Sequence, residues 1–437
     1  MSRMPEAADT SRRHADKEHT VIQEPPAAEP PEMHVAFVTP RYGEEVVGGA
    51  EDLARRTAEE LASRGIEVTA LSTCALDHHT WRDHYPAGAT SLNGVEVIRF
   101  PAVTRLGEPK VRKAVQAVAS GEPAKKKEQE LWLSGVVTSP GLFEHLRRDS
   151  TYTHIVFLPY LFGTTYYGSR IHPDRSYIIP CLHDEPYAHQ SLILEMLAGV
   201  KGLMFNSAGE RRLAARLLEM KDPGPVVGMG FVQHDFDAAA FRNRFPVRGD
   251  FLLYAGRREE GKNTPLLVDY FRRFSARRPG LLSLVLLGAG DVEVPFDCNS
   301  IVFDLGRVDE QVKWDAYGAA YAFCQPSCNE SLSIVLLESW LAGRPALVNS
   351  SCDVTREHAE LSGGGLCFSD YESFERMLLM LLEDCDRADR IGLEGRGYVL
   401  SEYNWDSVVA RLLEALGPVG SGEEGGEDEA ASGEEAP

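Results

Sequence analysis

Two basic side chains stand five positions apart in the segment Gly256-Arg-Arg-Glu-Glu-Gly-Lys-Asn263. The segment follows the apolar stretch Phe251–Ala255, which has the pattern of a buried strand. Arg257 and Lys262 would therefore stand together at the carboxyl end of that strand, where a guanidinium and an ammonium suit a diphosphate. Because negative charge grows on a leaving diphosphate, two fixed cations stabilise its transition state most. A solvated surface loop is the alternative interpretation of this segment taken alone.

Two glutamates separated by seven residues bound the run Glu330-Ser-Leu-Ser-Ile-Val-Leu-Leu-Glu338. The run predicts a strand-to-helix junction, with Glu330 at its mouth and Glu338 inside an otherwise apolar helix. Since an isolated buried carboxylate is unfavourable, Glu338 needs a partner, and sugar or ribose hydroxyls would serve. The alternative is a first glutamate favoured by the helix dipole and a second one exposed to solvent.

These segments belong to a chain in which strand and helix patterns alternate. The first unit runs from a strand at 34–39 through Gly48 and Gly49 into a helix that ends at Gly65, and a strand follows at 67–72. A second alternating series begins at Phe251. We predict an α/β protein with two Rossmann-like, doubly wound domains that face each other across a cleft.

The sequence divides into six predicted segments. They are a disordered N-terminal tail (1–32), an N-terminal Rossmann-like domain (33–230), a hinge (231–250), a C-terminal Rossmann-like domain (251–400), a C-terminal helix (401–416) and a disordered acidic tail (417–437). Both tails are polar and lack the apolar residues that a core requires.

The alternation breaks between Val103 and Arg148. This stretch carries Lys110, Lys113 and a run of three lysines at 125–127, followed by an apolar Leu-Trp-Leu at 131–133. One interpretation is a solvated helical excursion. The other is an acceptor-side or membrane-facing element that meets an anionic lipid or a phosphorylated acceptor.

Composition excludes several classes of protein. The 437 residues carry a net charge of -21, which argues against a nucleic-acid groove. The eight cysteines have no zinc spacing and indicate reduced thiols. With no signal peptide and no apolar run near the ~18 residues that span a bilayer, we expect a cytoplasmic protein, either soluble or peripheral at the inner face of the membrane.

The order and spacing of these segments resemble the retaining GT-B enzymes of glycosyltransferase family 4. The resemblance covers roughly residues 33 to 416 and rests on Gly48-Gly49, the Arg257 and Lys262 pair, the two spaced glutamates and the following Leu341-Ala-Gly-Arg-Pro345. It implies an acceptor domain followed by a donor domain, and a last helix that crosses back to the N-terminal domain. The implied reaction moves a sugar from a UDP-, GDP- or ADP-sugar, with retention of configuration and without a cofactor or metal.

The resemblance also implies roles for single residues. Glu330 would contact hydroxyls of the donor sugar, Glu338 would hold the nucleotide ribose, and Arg257 and Lys262 would hold the diphosphate. His183, which follows the predicted strand 177–180, matches the histidine that the family places close to the donor sugar.

The remaining donor contacts would come from the backbone. Gly48 and Gly49 would let amides at a helix N-terminus approach a phosphate or the acceptor. Ser331 and Ser333 stand where the commonest family pattern has glycines, and the amides of Ser331, Leu332 and Ser333 remain available. Asn263 likewise stands where many relatives have glycine.

Two Asp-x-Asp patterns, at 235–237 and 384–386, imitate the metal-binding motif of the other large glycosyltransferase fold. The first lies in the predicted hinge and the second in a polar helix, so we assign a metal role to neither. The acceptor stays open among a glycan, a lipid-linked sugar and a small molecule. Rival functions are another GT-B reaction, such as epimerisation or phosphorolysis, and an inactive scaffold that binds nucleotide sugars.

Overall fold

The structure is a computed structural model that describes residues 32–258 and 260–419. Residues Met33–Pro418 form one compact unit. Apart from a few residues at their inner ends, the two predicted tails lie outside the described residues, as does Glu259.

The strands of the described residues form two sheets. The strands are β1 His34–Val38, β2 Glu67–Thr73, β3 Gly88–Leu92, β4 Val95–Phe100, β5 His154–Phe157, β6 Ser176–Ile178, β7 Gly202–Leu203, β8 Phe251–Ala255, β9 Ser283–Leu287, β10 Val302–Gly306, β11 Ala322–Gln325, β12 Ala346–Asn349 and β13 Gly365–Phe368. The first sheet has the order β3-β4-β2-β1-β5-β6-β7 and the second has the order β10-β9-β8-β11-β12-β13. Only β3 pairs antiparallel to its neighbour within these described strands.

Helices connect the strands and cover the sheets. They are α1 Gly49–Ser63, α2 Pro109–Ala119, α3 Lys126–Val136, α4 Pro140–Arg148, α5 Gly163–Gly168, α6 Ser191–Ala198, α7 Ala208–Leu217, α8 Ala238–Arg244, α9 Thr264–Arg277, α10 Glu310–Ala319, α11 Ile334–Leu341, α12 Asp353–Ser362, α13 Tyr371–Glu383, α14 Cys385–Glu402 and α15 Trp405–Leu416.

The first strand of each sheet lies in its interior, and the chain winds outward from it in both directions. All residues of β1 and β8 are buried, as parallel strands covered by helices on both faces require. The chain order reverses between β1 and β5 in the first sheet and between β8 and β11 in the second. Such switch points are where open parallel sheets bind ligands. The predicted pair of Rossmann-like domains is confirmed.

The last helix, α15, returns to the N-terminal domain as predicted. The hydroxyl of Tyr177 donates to the carbonyl oxygen of Leu416 at 2.7 Å. At the other end of the helix, Asp406 accepts a hydrogen bond from Arg64, the residue that follows α1, at 2.7 Å. Leu412 and Leu416 are buried in the core that β1 and β2 also enter. Helix α15 is therefore part of the N-terminal core.

The edge strand β3 and helix α8 are among the elements that have no counterpart in the sequence prediction. The edge strand β3 is exposed over most of its length, so it lacks the apolar alternation that marks a strand. Helix α8 lies inside the predicted hinge, where Asp237 caps it by accepting from the amides of Ala239 and Ala240 at 2.9 and 3.0 Å. Phe241 of α8 packs against Phe251 of β8, with ring centroids 5.5 Å apart. Part of the 231–250 segment is thus packed on the second sheet.

Replacement of Gly230 by alanine tests the docking of α15. A Cβ atom at Gly230 would collide with the indole ring of Trp405. We expect Gly230→Ala to destabilise the protein by about 1–3 kcal/mol, as overpacking does. The control is Gly397→Ala within α14, where a Cβ meets nothing within 4 Å; it should stabilise by about 0.5–1 kcal/mol. Denaturant unfolding measures both, and equal stability of the two variants would contradict this packing.

Candidate active site

The pairing of β8 with β11 brings two predicted site residues together. Lys262 follows β8, Glu330 follows β11, and the two strands are parallel neighbours. The Lys262 ammonium donates to Oε1 of Glu330 at 2.7 Å. Gln325, the last residue of β11, donates to the same oxygen at 2.8 Å. Burial raises the pKa of Glu330, but Lys262 and His183 lower it more, so the carboxyl titrates below its ordinary range.

Two residues that stand where the family has glycine adopt glycine-like backbone angles. Asn263 has φ 54° and Ser333 has φ 68°, both in the left-handed region that most side chains avoid. Asn263 precedes α9, and Ser333 precedes α11. The Ser333 hydroxyl accepts from the Gln325 side-chain amide at 3.0 Å, which helps to hold this conformation. The backbone of the site thus keeps the shape that glycines would allow.

The carboxylate of Glu338 is buried within α11 and has partners from the protein. The ammonium of Lys313 donates to Oε1 at 2.9 Å, and the hydroxyl of Tyr317 donates to Oε2 at 3.1 Å. Burial lowers the pKa of Lys313, but Glu338 and Glu310 raise it more, so the net shift is upward. The sequence argument that Glu338 needs a ligand hydroxyl is therefore not required, because Lys313 and Tyr317 already satisfy the carboxylate.

Arg257 lies on the same wall of the cleft, directly after β8 and Gly256. Its carbonyl oxygen accepts a hydrogen bond from the hydroxyl of Tyr254 at 2.7 Å. Gly256 has φ 145°, and a Cβ there would approach the Tyr254 hydroxyl to 3.1 Å. The turn after β8 therefore fixes the backbone conformation at Arg257.

His183 enters the cleft from the N-terminal domain, after β6. Cys181 has φ 56°, which turns the chain at the end of the strand. The amide of Leu182 donates to Oε1 of the buried Glu210 at 2.6 Å and fixes the next residue. Burial lowers the pKa of His183, so the ring is neutral near pH 7. Asp184 faces outward, where it binds His189 and Arg216.

The glycine pair lies where the two domains approach each other. Gly48 precedes α1, and Gly49 is its first residue. A Cβ at Gly49 would lie 3.7 Å from Cδ1 of Ile334, the first residue of α11. The N-termini of helices from both domains therefore meet at one end of the cleft.

A buried ion pair supports this glycine turn and was missed by the sequence analysis. Nε of Arg41 donates to Oε1 of Glu51 at 3.0 Å, and both side chains are at most 7% exposed. Arg41 also donates to the carbonyl oxygens of Leu76 and Val47, at 3.0 and 3.2 Å. A Cβ at Gly48 would collide with the Glu51 carboxylate. The spacing of Arg41 and Glu51 gives no sequence signal, because the pair forms only when β1 and α1 pack together.

One cleft of 1370 Å³ collects every predicted site residue. The residues that line it include Gly48, Gly49, His183, Arg257, Lys262, Glu330, Ser331, Leu332, Ser333 and Glu338. Seven of these ten come from the C-terminal sheet and three from the N-terminal one. The structure thus brings the residues together, while their individual roles stay predictions.

Direct contacts join the two walls. The Ser207 hydroxyl, at the start of α7, donates to the carbonyl oxygen of Ser331 at 2.7 Å. Nearby, Arg212 of α7 pairs with Glu357 of α12 at 2.5 Å. These contacts hold the Glu330 loop against the N-terminal domain.

The basic segment 103–148 forms α2, α3 and α4, and part of it reaches the cleft. Its contributions to the lining are Leu106, Val115, Trp132 and Val136. Its lysines at 110, 113 and 125–127 are exposed and are not among the described lining residues. The segment is therefore an element of the cleft wall, and the face it gives to the cleft is apolar.

Three adjacent residues on the outer rim have the chemistry of a metal site. The ligand atoms of Asp77, His78 and His79 lie within 4.8 Å of one another, and His78 lines the cleft. The sequence analysis did not single them out.

The two Asp-x-Asp patterns cap helices: Asp237 caps α8, and Asp384 caps α14 by accepting from the amide of Arg387 at 2.9 Å. In the part of the chain that the structure describes, no helix is long and apolar enough to cross a membrane.

Truncation of Glu51 tests the buried pair beneath the glycine turn. Glu51→Ala would leave the Arg41 guanidinium buried without its carboxylate, which costs about 3–5 kcal/mol. Glu60→Ala on the same helix is the matched control, because Glu60 pairs with Arg64 at a site where the two side chains are 23% and 34% exposed. Such surface pairs contribute about 0–1 kcal/mol. Denaturant unfolding should separate the two variants, and similar losses would contradict the importance of the Arg41 pair.

Comparisons with known proteins agree with this geometry. Residues 249–384 match the family described as Glycosyl transferases group 1. A GDP-mannose-dependent monoacylated alpha-(1-6)-phosphatidylinositol monomannoside mannosyltransferase from Corynebacterium glutamicum is 27% identical over 167 residues, which are 36% of this chain and 44% of that protein. The match spans less than half the length of that relative.

Solved structures show the fold over most of the chain. A sucrose-phosphate synthase from Thermosynechococcus elongatus has a TM-score of 0.66 at 16% identity and covers 87% of this chain and 97% of its own. Anabaena HepE in complex with UDP-glucose has a TM-score of 0.61 at 15% identity, with coverage of 88% and 99%. Residues 249–384 are thus similar to the glycosyl transferases group 1, and the chain as a whole has the two-domain GT-B fold of these solved structures.

Proposed function

We propose that the chain is a retaining hexosyltransferase that moves a sugar from a nucleoside diphosphate sugar to an acceptor hydroxyl without a metal ion. The observation that carries the proposal is the Lys262–Glu330 pair at the switch point of the C-terminal sheet, opposite His183 in one cleft. A cation for the leaving group and a carboxylate for sugar hydroxyls stand side by side there. Crevices of this kind are where open α/β sheets bind nucleotides.

Two cations of the β8 loop, Arg257 and Lys262, would bind the leaving diphosphate. As the bond between C1 of the sugar and the phosphate oxygen breaks, charge develops on that oxygen. Arg257 and Lys262 would stabilise this charge from fixed positions, and little reorganisation is needed during the reaction. Lys262 is positioned by Glu330, and its side chain is 22% exposed, so it can meet a ligand in the cleft.

The glutamates would divide the recognition of the donor. Glu330 is held ionised by Lys262 and can accept hydrogen bonds from sugar hydroxyls. Glu338 lines the same cleft deeper along α11 and would contact the ribose. Because Lys313 and Tyr317 already bind Glu338, a ribose hydroxyl would join an existing network.

The proposed retention of anomeric configuration depends on which group takes the proton of the acceptor hydroxyl. The new bond joins the acceptor oxygen to C1 on the face that the diphosphate leaves, and the proton passes to a diphosphate oxygen. Inversion would instead need a base on the opposite face. Asp184 is turned outward to Arg216 and His189, and His183 contacts the carboxylate of Glu185 only at 3.9 Å. We assign His183 to the donor sugar, as the resemblance to the family implies.

The proposed donor is based on the sugar nucleotides named for two similar proteins. HepE was solved with UDP-glucose, and the Corynebacterium relative is described as GDP-mannose-dependent. A UDP- or GDP-hexose is therefore our first choice of donor, with ADP-sugars next. We place the reaction in the cytoplasm, because the eight cysteines are all free, as expected in a reducing compartment.

Alanine variants of the two cations test the diphosphate assignment. Arg257→Ala and Lys262→Ala should each lower kcat for release of sugar from UDP-glucose or GDP-mannose by roughly 100-fold or more, because transition-state stabilisation is lost. Arg272→Ala, on the exposed face of α9, is the control and should keep the rate. If both site variants turn over at the control rate, the assignment is wrong.

The stereochemistry of the product and its metal dependence test the mechanism. The first sugar formed should keep the anomeric configuration of the donor, which proton NMR reports before mutarotation. Chelation by EDTA should leave the rate unchanged, because the cations replace a divalent metal. An inverted product would contradict the mechanism. Loss of activity that magnesium or zinc restores would also contradict it and would direct attention to Asp77, His78 and His79.

A further inference from the structure

The segment between β4 and β5 gives the cleft only apolar side chains, although it is one of the most basic parts of the chain. Four of its residues line the cleft: Leu106, Val115, Trp132 and Val136. Its exposed lysines lie outside the described lining. Trp132 is 3% exposed, whereas the other three are half-buried. Covering apolar surface that remains accessible inside a cleft is favourable, so such surface is typical of a ligand-binding site.

Aromatic pairs from neighbouring elements extend this surface. Trp81 meets Phe162 edge to face, with ring centroids 5.2 Å apart, and Trp132 meets Tyr187 at 5.4 Å. All four rings line the same cleft. We call the set Trp81, Leu106, Val115, Trp132, Val136, Phe162 and Tyr187 the apolar wall. The two indole rings are buried, so the half-buried rings of Phe162 and Tyr187, held in place by these pairs, are the surface that an apolar group would meet.

The apolar wall belongs to the N-terminal domain, whereas most residues proposed for the donor belong to the C-terminal one. The cleft volume of 1370 Å³ also exceeds the ~300–1,000 Å³ usual for one small ligand. The cleft therefore has room for a second molecule beside the donor. His78 also lines the cleft and could meet the hydroxyl-bearing end of that molecule.

We propose that the acceptor is amphipathic, with a hydroxyl-bearing head directed to the donor site and an apolar group covered by the apolar wall. The inference rests on the proposed function and specifies the acceptor class for the same cleft. An aliphatic chain and an aromatic aglycone share the chemistry that this wall recognises.

Three glucosides that share a polar head separate the contributions. Methyl, n-octyl and phenyl β-D-glucopyranoside are titrated into the full-length protein by calorimetry, with octyl glucoside kept below its critical micelle concentration. Each buried methylene contributes roughly fourfold in Kd. We expect octyl or phenyl glucoside to bind at least tenfold more tightly than methyl glucoside. A preference for octyl indicates an aliphatic chain, and a preference for phenyl indicates an aromatic aglycone. Equal affinity of all three overturns the proposal.

A variant that fills the wall tests where the apolar group binds. Val115→Trp should weaken the preferred glucoside at least tenfold. The matched control is Val103→Trp, in the same segment but 42% exposed and outside the described lining; it should bind as the parent does. Leu106→Asp, in a loop, is the second variant should Val115→Trp fail to fold. Unchanged affinity in a folded wall variant overturns the proposal.

The proposed function is measured separately in the same samples. Thermal shifts with UDP and GDP report the donor site, since ligand at 100 times Kd stabilises by ~2.7 kcal/mol. Nucleotide binding without a preference for apolar glucosides contradicts the amphipathic acceptor alone. Absence of nucleotide binding contradicts the proposed function, whatever the glucosides do.

Discussion

The parallel pairing of β8 with β11 is the constraint on which the site depends. These strands are neighbours in space but about 70 residues apart in sequence, and their carboxyl ends emerge side by side. That placement lets Lys262 reach Glu330 and lets the amide of Cys328 donate to Gly261 at 3.2 Å. The two loops are therefore one unit. The left-handed backbone at Asn263 and Ser333 is the local strain that such close loops require, and strain of this kind is common at functional sites.

Fixed partners for buried carboxylates are the second common feature. Glu330 has Lys262, Glu338 has Lys313 and Tyr317, and Glu51 has Arg41. A buried pair of this kind adds little net stability, because desolvation offsets most of the attraction. Its benefit is positional: charges held by neighbours do not have to reorganise when charge develops on a substrate. The cleft is thus charged and rigid on the side where the donor is proposed to bind.

The sequence predicted the architecture because its signals are local, and the ten site residues that it or the family resemblance indicated line one cleft. Strand patterns and glutamate spacing are short-range features, and glycine positions follow from turns. The partner of Glu338 could not be predicted, since Lys313 reaches it only after α10 packs on α11. The Arg41–Glu51 pair needs β1 and α1 in contact for the same reason. The glycine-like angle of Ser333 was also hidden, because serine adopts it under tertiary restraint. Sequence patterns therefore indicate residues that line the cleft, but they do not predict the tertiary contacts that fix the positions of those residues.

A continuous path of hydrogen bonds links the histidine of one domain to the glutamate loop of the other. The amide after Cys181 donates to Glu210, the amide of Glu210 donates to the Ser207 hydroxyl at 3.1 Å, and that hydroxyl donates to Ser331. Burial raises the pKa of Glu210 to about 8 against the opposing effect of the amides that it accepts from. Few links separate His183 from Glu330, so this path helps to fix the distance between them. A donor held by Glu330 and an acceptor held by the apolar wall would therefore meet at a position that the N-terminal domain defines.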